Sequence, residues 1–402
     1  MRIFHTGCRE EVKKIMHDIG VDPYGIRIML PKATAFLIHL KSINSIAANI
    51  LKQEALSLGA DAAINRGALT GKTKKTDVLI IAQLAQLAQL ADKLKLQPFG
   101  LQKISEELKE NIKNFTKDNF ILSLRNAFLN LSKKTCIMGI INLTCDSFSG
   151  DGLYSIKCKD YPGLALQRAE EMVRYGADII DLGGESSRPG AKSISTKEEL
   201  KRTLPVVKLL AKKIKAPISI DTRKAQVACA ALDNGAQMIN DISGLRDKRM
   251  IKVAARYKAA VVIMHMLGKP ANMQKIIAYR SLINDITTYL KNAIDSVQAA
   301  GIKPDKIVID PGIGFGKTPR HNFEIIKHLD DFKVLGKPIL IGPSRKSFIA
   351  SLLGTDAESR LNGTLAVSVM AAERGANILR VHNVKQISQA LKMLAAVKNS
   401  HA

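Results

Sequence analysis

From about residue 135 onward, short apolar runs alternate with longer amphipathic segments. The first run is TCIMGIIN at 135–142 and the last is ANILRVH at 376–382. The segments between the runs carry apolar residues at helical spacing, and several end in glycine, which commonly ends a helix. Almost continuously apolar strands that alternate with helices predict a parallel sheet covered by helices on both faces.

The number and spacing of the runs match a (β/α)8 TIM barrel of about 250 residues, which we place at about 135–398. An open, doubly wound sheet is the alternative, because counting runs does not prove that the sheet closes. Catalytic groups in a barrel lie at the C-terminal ends of the strands. Polar residues do follow the runs here: Asn142, Glu185–Arg188, Asp221, Asn240–Asp241, His265, Asp310, Ser344–Lys346 and Arg380–His382.

The N-terminal part has a different pattern, and we predict a separate small α/β domain at 1–128, before the barrel at 129–402. SINSIAANILKQEALSLGADAAI indicates a helix and a turn, and TDVLIIAQLAQLAQLADKLK indicates a strand that runs into a helix. SEELKENIKNF predicts a further helix with Ser105 as its N-cap. This part shows no catalytic constellation, and its function stays open.

Composition narrows the class of protein. Hydrophobic residues make up 46% of the chain, which indicates a folded protein. The longest apolar stretch, at 78–91, contains three glutamines and is too short to span a bilayer. Since the N-terminus also lacks the apolar core of a signal peptide, we expect a cytoplasmic protein. The five cysteines form no CxxC pair, which argues against a zinc site or a disulfide framework.

The net charge of +25 raises the question of nucleic-acid binding. The basic residues are spread over both parts of the chain, without a long Lys/Arg block or interleaved aromatic residues. We therefore expect no nucleic-acid partner, and a surface that attracts small anionic ligands instead.

A series of ordered motifs resembles the dihydropteroate synthases. The motifs are MGIINLTCDSFSGDG (138–152), DLGGESSRPGA (181–191), SIDTRKA (219–225), INDISG (239–244), MHMLGKPANMQ (264–274), DPGIGFGK (310–317), IGPSRKSFI (341–349) and RVHNV (380–384). The resemblance covers residue 135 to the C-terminus and leaves 1–130 unmatched. It implies a homodimeric, Mg²⁺-using barrel that joins 4-aminobenzoate to a dihydropterin methyl diphosphate.

The pterin edge offers hydrogen-bond donors and acceptors, which carboxylates and an amide at strand ends complement. Asp221, Asn240 and Asp310 fall on the pterin-contacting positions of the family, although such residues can also cap the following helices. The resemblance places Lys346 at the pterin and beside the aminobenzoate pocket. It also adds Phe315 to the substrate-binding set.

A site for the diphosphate leaving group must bind an anion. Arg380 and His382 are two residues apart on the last strand and so share a face. In the family both belong to the diphosphate site, and Asn142 corresponds to the Mg²⁺ contact. The implied catalytic residues are Arg188, Lys346, Arg380 and His382.

The turn DLGGESSRPGA corresponds to a loop beside the reacting centre in the family. Ser187 would touch substrate, and Arg188 would help close the site over diphosphate and aminobenzoate. Two departures stand out: TCDSFSGDG has Cys145 where proline is usual and a shifted Asp151, and DTRKA has Ala225 where proline is common. The first leaves the role of Asp151 open, while the second does not touch the chemistry of Asp221.

Two other functions remain as alternatives. A methyltetrahydrofolate:corrinoid methyltransferase shares the Asp and Asn set, but it has no need of the RVH anion pair or the SRKS motif. A non-catalytic pterin-binding protein would be compatible with the extra N-terminal domain, but not with a complete catalytic set. The motifs therefore favour the synthase reaction, driven by positioning and charge stabilisation without a strong general base.

Overall fold

The computed structural model describes residues 9–125, 127–144, 153–154, 160–186, 191–268, 273, 277–354 and 356–400. The chain divides into two compact units, Met1–Asn114 and Phe115–Ala402. The division thus falls earlier than the boundary that we predicted after residue 128. The physical reason is that Phe120, Leu122 and Leu124 pack with the barrel strands in one apolar cluster.

The first unit is built on a three-stranded antiparallel sheet, with β3 (Lys75–Gln83) between β1 (Ala35–Asn44) and β2 (Asp61–Ile64). Its core packs apolar residues of the strands, such as Ile80, against helical residues such as Leu51 and Leu90. The predicted small α/β domain is therefore confirmed. Its helices are α1 (Arg9–Asp18), α2 (Pro23–Met29), α3 (Ser45–Leu56), α4 (Arg66–Leu69), α5 (Leu84–Leu94) and α6 (Leu101–Phe115).

The predicted N-cap at Ser105 is wrong. Helix α6 begins one turn earlier, at Leu101, so Ser105 lies inside the helix. There it is buried and donates its hydroxyl to the carbonyl of Ala91 at 2.5 Å. Gly100 precedes the helix with a φ of 80°, a conformation that glycine adopts without strain and that lets the chain turn directly into α6.

The second unit is a closed eight-stranded parallel barrel, which confirms the predicted fold and excludes the open sheet. Closure is made by the last and first barrel strands, where Arg380 lies opposite Met138 in register. The strands are β6 (Cys136–Asn142), β7 (Ile179–Gly183), β8 (Ile218–Asp221), β9 (Met238–Asp241), β10 (Ala260–Met264), β11 (Ile307–Asp310), β12 (Ile339–Ile341) and β13 (Ala376–Val381). Each strand pairs with its neighbour in chain order.

Helices cover the outside of the barrel. The strand residues that face outward, such as Ile180 and Ile309, pack with helical residues such as Leu210 and Leu290 in the main core. This two-sided burial explains why the strands are almost continuously apolar. The helices are α7 (Tyr161–Arg174), α8 (Thr196–Lys213), α9 (Ala225–Asp233), α10 (Lys248–Tyr257), α11 (Leu282–Ala299), α12 (Pro319–Lys327), α13 (Ser347–Leu353), α14 (Ala357–Glu373) and α15 (Val384–Asn399).

Two short antiparallel strands, β4 (Ile121–Ser123) and β5 (Phe128–Asn130), close the N-terminal end of the barrel. Their apolar residues join inward-facing residues near the strand starts, such as Met138 and Val308. Lys306 holds this cover in place by donating from Nζ to the carbonyl of Ser123 at 3.1 Å. The closed apolar floor leaves the C-terminal mouth of the barrel for polar chemistry.

Over the described ranges, no helix is both long enough and apolar enough to cross a membrane. The described cysteines Cys136 and Cys229 are both free thiols. In the part of the chain that the structure describes, no three His, Cys, Asp or Glu side chains are grouped so that they could hold a metal ion.

We expect a chain beginning at Phe115 to fold as a stable barrel, and one beginning at Leu129 to be markedly less stable. The shorter chain lacks Phe120, Leu122 and Leu124, and burying each such side chain stabilises by about 1.5–3 kcal/mol. Thermal unfolding should therefore occur about 10 °C or more lower in the shorter chain. Equal unfolding temperatures would show that the cover does not contribute to the barrel.

Candidate active site

Polar side chains from six barrel strands meet at the C-terminal mouth. The parallel register brings the ends of the strands to one level: Gly183 lies opposite Asp221, which in turn lies opposite Asn240. These ends form the only polar layer that the strands themselves contribute at the mouth, among the residues described. Its members are Asn142, Asp181, Asp221, Asn240, Asp310 and Arg380.

Arg380 is the centre of this layer. Its Nε donates to Asp181 Oδ2 at 2.6 Å, and its Nη2 donates to Asp221 Oδ2 at 2.6 Å. Asn240 Nδ2 donates to the same Asp181 oxygen at 3.1 Å. One guanidinium thus cross-links strands β7, β8 and β13 and compensates two buried carboxylates, a geometry that its planar fork makes possible.

Burial and the neighbouring charges shift the pKa values in this network in opposite directions. Burial opposes the charge of Arg380, but Asp181 and Asp221 outweigh it and raise the pKa of the guanidinium. Burial raises the pKa of Asp221, while Arg380 acts in the opposite direction. Asp181 Oδ1 is buried and has no hydrogen-bond partner among the described residues. The network therefore retains an unused acceptor, and it depends on the guanidinium staying in place.

Asp310 is held at the end of β11 by a tight turn. Its Oδ1 accepts from the backbone N–H of Gly312 at 2.7 Å. Gly312 has a φ of 72°, and a Cβ there would lie 1.9 Å from the carbonyl oxygen of His265, so only glycine fits. Burial raises the pKa of Asp310 to about 6, against the N–H of Gly312 and the charge of Lys346.

Lys346 and Phe315 form one wall of the mouth. Lys346 Nζ lies 4.1 Å from the centroid of the Phe315 ring, within cation–π range. The lysine stem passes over Gly314, where a Cβ would lie 3.0 Å from Lys346 Cδ. Phe315 is itself packed among Ile242, Met264, Met266 and Met273. This wall combines an apolar ring face with a positive charge.

A buried lysine lies behind this wall. Lys317 Nζ donates to His265 Nδ1 at 2.9 Å and to the carbonyl of Phe315 at 3.1 Å. Burial lowers the pKa of Lys317 to about 7, Asp310 opposes that shift, and Lys346 adds to it. Burial and Lys317 lower the pKa of His265 to about 2. The ring is therefore neutral and accepts a hydrogen bond from Lys317.

His382 follows Arg380 by two residues and has different partners. Asn142 Nδ2 lies 3.2 Å from His382 Nε2, and Ser344 Oγ lies 2.9 Å from Nδ1. With the amide as donor, the ring proton lies on Nδ1. Burial and the nearby Arg345 and Arg380 lower the pKa of His382 well below its usual value, so the ring is neutral at pH 7.

The turn that follows β7 is described through Ser186 only, so the predicted residues Ser187 and Arg188 lie outside the described residues, as does Asp151. Glu185, before them in the turn, pairs with Arg223 Nη2 at 3.0 Å and Lys224 Nζ at 2.7 Å. Lys224 also contacts buried Glu199 at 2.5 Å. These pairs fix the start of the turn against the loop after β8.

Three residues at the mouth were missed by sequence reasoning: Asp181, Ser344 and Lys317. Asp181 had the clearest signal, since a carboxylate inside the apolar run ADIIDLGG has to face the barrel interior or be paired. Ser344 was among the polar residues that follow the strands, but its contact with the ring of His382 could not be read from the sequence. Lys317 was visible only as part of a motif, and its burial could not be read from the sequence.

Comparison with known proteins shows the family to which the chain belongs. Residues 138–382 match the pterin-binding enzyme family. A dihydropteroate synthase of Synechocystis sp. is 43% identical over 267 residues, which make up 66% of this chain and 91% of that protein. A probable bifunctional folylpolyglutamate synthase/dihydropteroate synthase of Halobacterium salinarum is 34% identical over 389 residues, 97% of this chain, and the chain spans 46% of its length.

Solved structures give the same result for the barrel. The Yersinia pestis dihydropteroate synthase in a sulfonamide drug complex aligns with a TM-score of 0.66 and 40% identity, over 70% of this chain and 100% of that one. The Thermus thermophilus dihydropteroate synthase in complex with 4-aminobenzoate aligns with a TM-score of 0.61 and 39% identity, over 69% and 99%. The chain belongs to the pterin-binding enzyme family and, within it, to the dihydropteroate synthases, which are transferases of folate biosynthesis.

Proposed function

We propose that the residues at the barrel mouth condense a dihydropterin methyl diphosphate with 4-aminobenzoate, giving dihydropteroate and diphosphate. One observation carries the assignment of these residues: two carboxylates from neighbouring strands pair with a largely buried guanidinium, and one of them also holds an amide from the next strand. Such a layer offers acceptors to the pterin and a cation to the diphosphate. The relative from Thermus thermophilus, solved with 4-aminobenzoate, supports the identity of the second substrate.

The pterin would lie against Asp221, Asn240 and Asp310. Asn240 uses its N–H on Asp181, which leaves Oδ1 to accept from the ring. The Asp310 carboxylate uses one oxygen on the Gly312 N–H and keeps the other for a ring N–H. A flat amino-pyrimidinone edge, with several N–H donors, complements this set of acceptors.

The second substrate would bind beside Lys346 and Phe315. The ring of Phe315 offers an apolar face to a flat substrate, and Lys346 Nζ above it supplies a charge for a carboxylate or a ring carbonyl. Stacking on an aromatic face and pairing with a cation both favour an aromatic acid. Ser187 and Arg188 are proposed to complete this side of the site.

Diphosphate would bind to Arg380 and His382, with Arg188 closing over it. Both ring nitrogens of His382 have partners in the ligand-free arrangement. A diphosphate oxygen would therefore accept a hydrogen bond from His382 Nδ1 in place of Ser344. Alternatively, it would share the Nη groups of Arg380 with the two carboxylates. Arg380 would thus connect the pterin-binding acids to the leaving group.

Asn142 is proposed to hold Mg²⁺. Its Nδ2 is directed at His382, and its Oδ1 makes no hydrogen bond with a described residue, so one oxygen ligand is available. This fits a Mg²⁺ ion that takes one protein oxygen and otherwise keeps waters and phosphate oxygens. When bound, the ion would neutralise part of the charge that builds up on the diphosphate.

The chemistry then needs charge stabilisation and positioning more than a base. The C–O bond between the pterin methylene and diphosphate breaks, and its electron pair leaves with diphosphate. The neutral amine of 4-aminobenzoate forms the new C–N bond, and its proton is lost to water. Ser344, His382 and Asn142 form a chain without a carboxylate, so they do not make up a Ser–His–Asp relay.

We further propose that the protein is a cytoplasmic homodimer that acts on small molecules and does not bind nucleic acid. Large apolar side chains are exposed on consecutive barrel helices, which is typical of a surface covered by a partner. They are Phe323, Leu352, Leu353, Met370, Met393 and Val397, on α12 to α15.

The deciding experiment is an activity assay. The full chain is incubated with Mg²⁺, dihydropterin methyl diphosphate and 4-aminobenzoate, and dihydropteroate is detected by mass spectrometry. Formation of dihydropteroate supports the synthase. Pterin binding without product would indicate a non-catalytic pterin-binding protein, and methyl transfer from methyltetrahydrofolate would indicate the corrinoid methyltransferase alternative.

We expect Asp310→Asn to weaken pterin binding by about 1–3 kcal/mol, because the amide presents its own N–H to a ring donor. In the native chain the affinity should fall as the pH drops below about 6, the raised pKa of Asp310, because protonation of its carboxylate removes an acceptor. The variant should lose this pH dependence. Calorimetry with a pterin from pH 5 to 8 tests both points, with exposed Asp295→Asn as the control.

We expect His382→Ala to reduce turnover by a factor of ten or more while leaving affinity for a pterin without diphosphate within twofold. The ring contacts neither Asp221, Asn240 nor Asp310, so its loss should affect the leaving group alone. His328→Ala, at an exposed position on the same unit, is the control. A matching loss of pterin affinity in His382→Ala would place the ring at the pterin instead.

A further inference from the structure

A cavity of about 670 Å³ lies at the N-terminal end of the barrel, opposite the active-site mouth. The starts of strands β6, β12 and β13 line it at Ile137, Ile339 and Ala376, and one face of α15 forms a side wall. All lining residues belong to the second unit. Its volume falls in the range of small-molecule sites, about 300–1,000 Å³.

The cavity is strongly basic. Eight lining side chains are Lys or Arg and two are acidic. One of the eight, Lys134, is paired with Asp178 at 2.6 Å. Lys133, Lys392 and Lys398 form no ion pair with any residue described here, so their charges are available to a ligand.

Lys337, another of the eight basic side chains, is buried. Lys337 is 9% exposed and donates from Nζ only to the carbonyl of Pro304, at 3.3 Å, among the described groups. Burial and the charge of Lys117 lower the pKa of Lys337 to about 8, while the charges of Asp305 and Asp295 oppose that shift. A buried cation beside a like charge, without a carboxylate within ion-pair distance in the described part, is costly. A bound anion would relieve that cost.

Part of the lining is apolar. Leu391 and Leu394 of α15 lie with Ile137 and the Tyr175 ring around the same space. Arg174 and Lys385 lie 5.4 and 5.2 Å from the Tyr175 centroid, so the ring is held in place by cations. Lys392 and Lys398 lie on the same helix as Leu391 and Leu394, so α15 presents apolar side chains and lysines side by side, which suits a molecule with an uncharged ring and a charged tail.

We propose that this cavity binds a small organic polyanion of nucleotide size, with its phosphate groups among the lysines and its ring against Leu391, Leu394 and Tyr175. The ligand is distinct from the substrates of the synthase, since the closed apolar floor separates the cavity from the mouth. An extended nucleic acid fits less well, because the cavity has the volume of a single nucleotide and lacks a row of aromatic rings for stacking.

The test is calorimetric titration of the full chain with ATP in EDTA, beside inorganic tripolyphosphate and adenosine. ATP should bind more tightly than tripolyphosphate, and adenosine should not bind detectably. Lys392→Glu with Lys398→Glu should weaken ATP binding at least tenfold. The matched control is Lys201→Glu with Lys208→Glu, an equal charge change on exposed positions of α8, which should change ATP affinity less than twofold.

Two further measurements locate the site. Arg380→Ala should leave ATP affinity unchanged, and Lys392→Glu with Lys398→Glu should leave synthase turnover unchanged in the absence of ATP. The proposal is overturned if the native chain does not bind ATP, if both charge-reversed pairs weaken binding equally, or if tripolyphosphate binds as tightly as ATP. Tighter binding of a single-stranded oligonucleotide, with the same dependence on Lys392 and Lys398, would assign the surface to nucleic acid instead. The binding outcomes do not depend on the synthase assay.

Discussion

The pairing of Arg380 with Asp181 and Asp221 is the constraint on which the active site depends. Asp181, Asp221 and Arg380 bring three charges to the largely buried end of the barrel, where each charge alone would be unfavourable. They are tolerated because Nε and Nη2 of Arg380 each lie 2.6 Å from a carboxylate oxygen. The pairing also fixes the ends of three strands relative to one another. Asn240 is oriented by the same Asp181 oxygen, so its free carbonyl depends on the pairing as well.

The same arrangement links recognition to chemistry. In the ligand-free site the guanidinium is balanced by Asp181 and by Asp221, of which Asp221 would bind the pterin, and a diphosphate would compete for it. Binding of the substrate would therefore redistribute one positive charge between these carboxylates and the leaving group. Because burial raises the pKa of both Asp221 and Asp310, the site is sensitive to where that charge lies.

Sequence pattern predicted the barrel, because strands buried on both faces have to be apolar and have to end at a common polar edge. It also predicted correctly that Asp221, Asn240 and Asp310 lie at that edge. It did not predict that Arg380 and His382 have separate partners, since strand periodicity specifies a shared face but not which neighbours the side chains reach. The position of Ser105 and the pairing of Glu185 were missed for a similar reason: both depend on residues distant in sequence, Ala91 and Arg223.

The most direct test of this account is a double-mutant cycle on kcat/KM for dihydropteroate formation, with Asp181→Ala and Arg380→Ala. If Asp181 acts by holding Arg380, each single variant should lower kcat/KM strongly, and the double variant should be no worse than the more severe single one. Additive losses in the double variant would contradict the account, because they would mean that the two residues act independently.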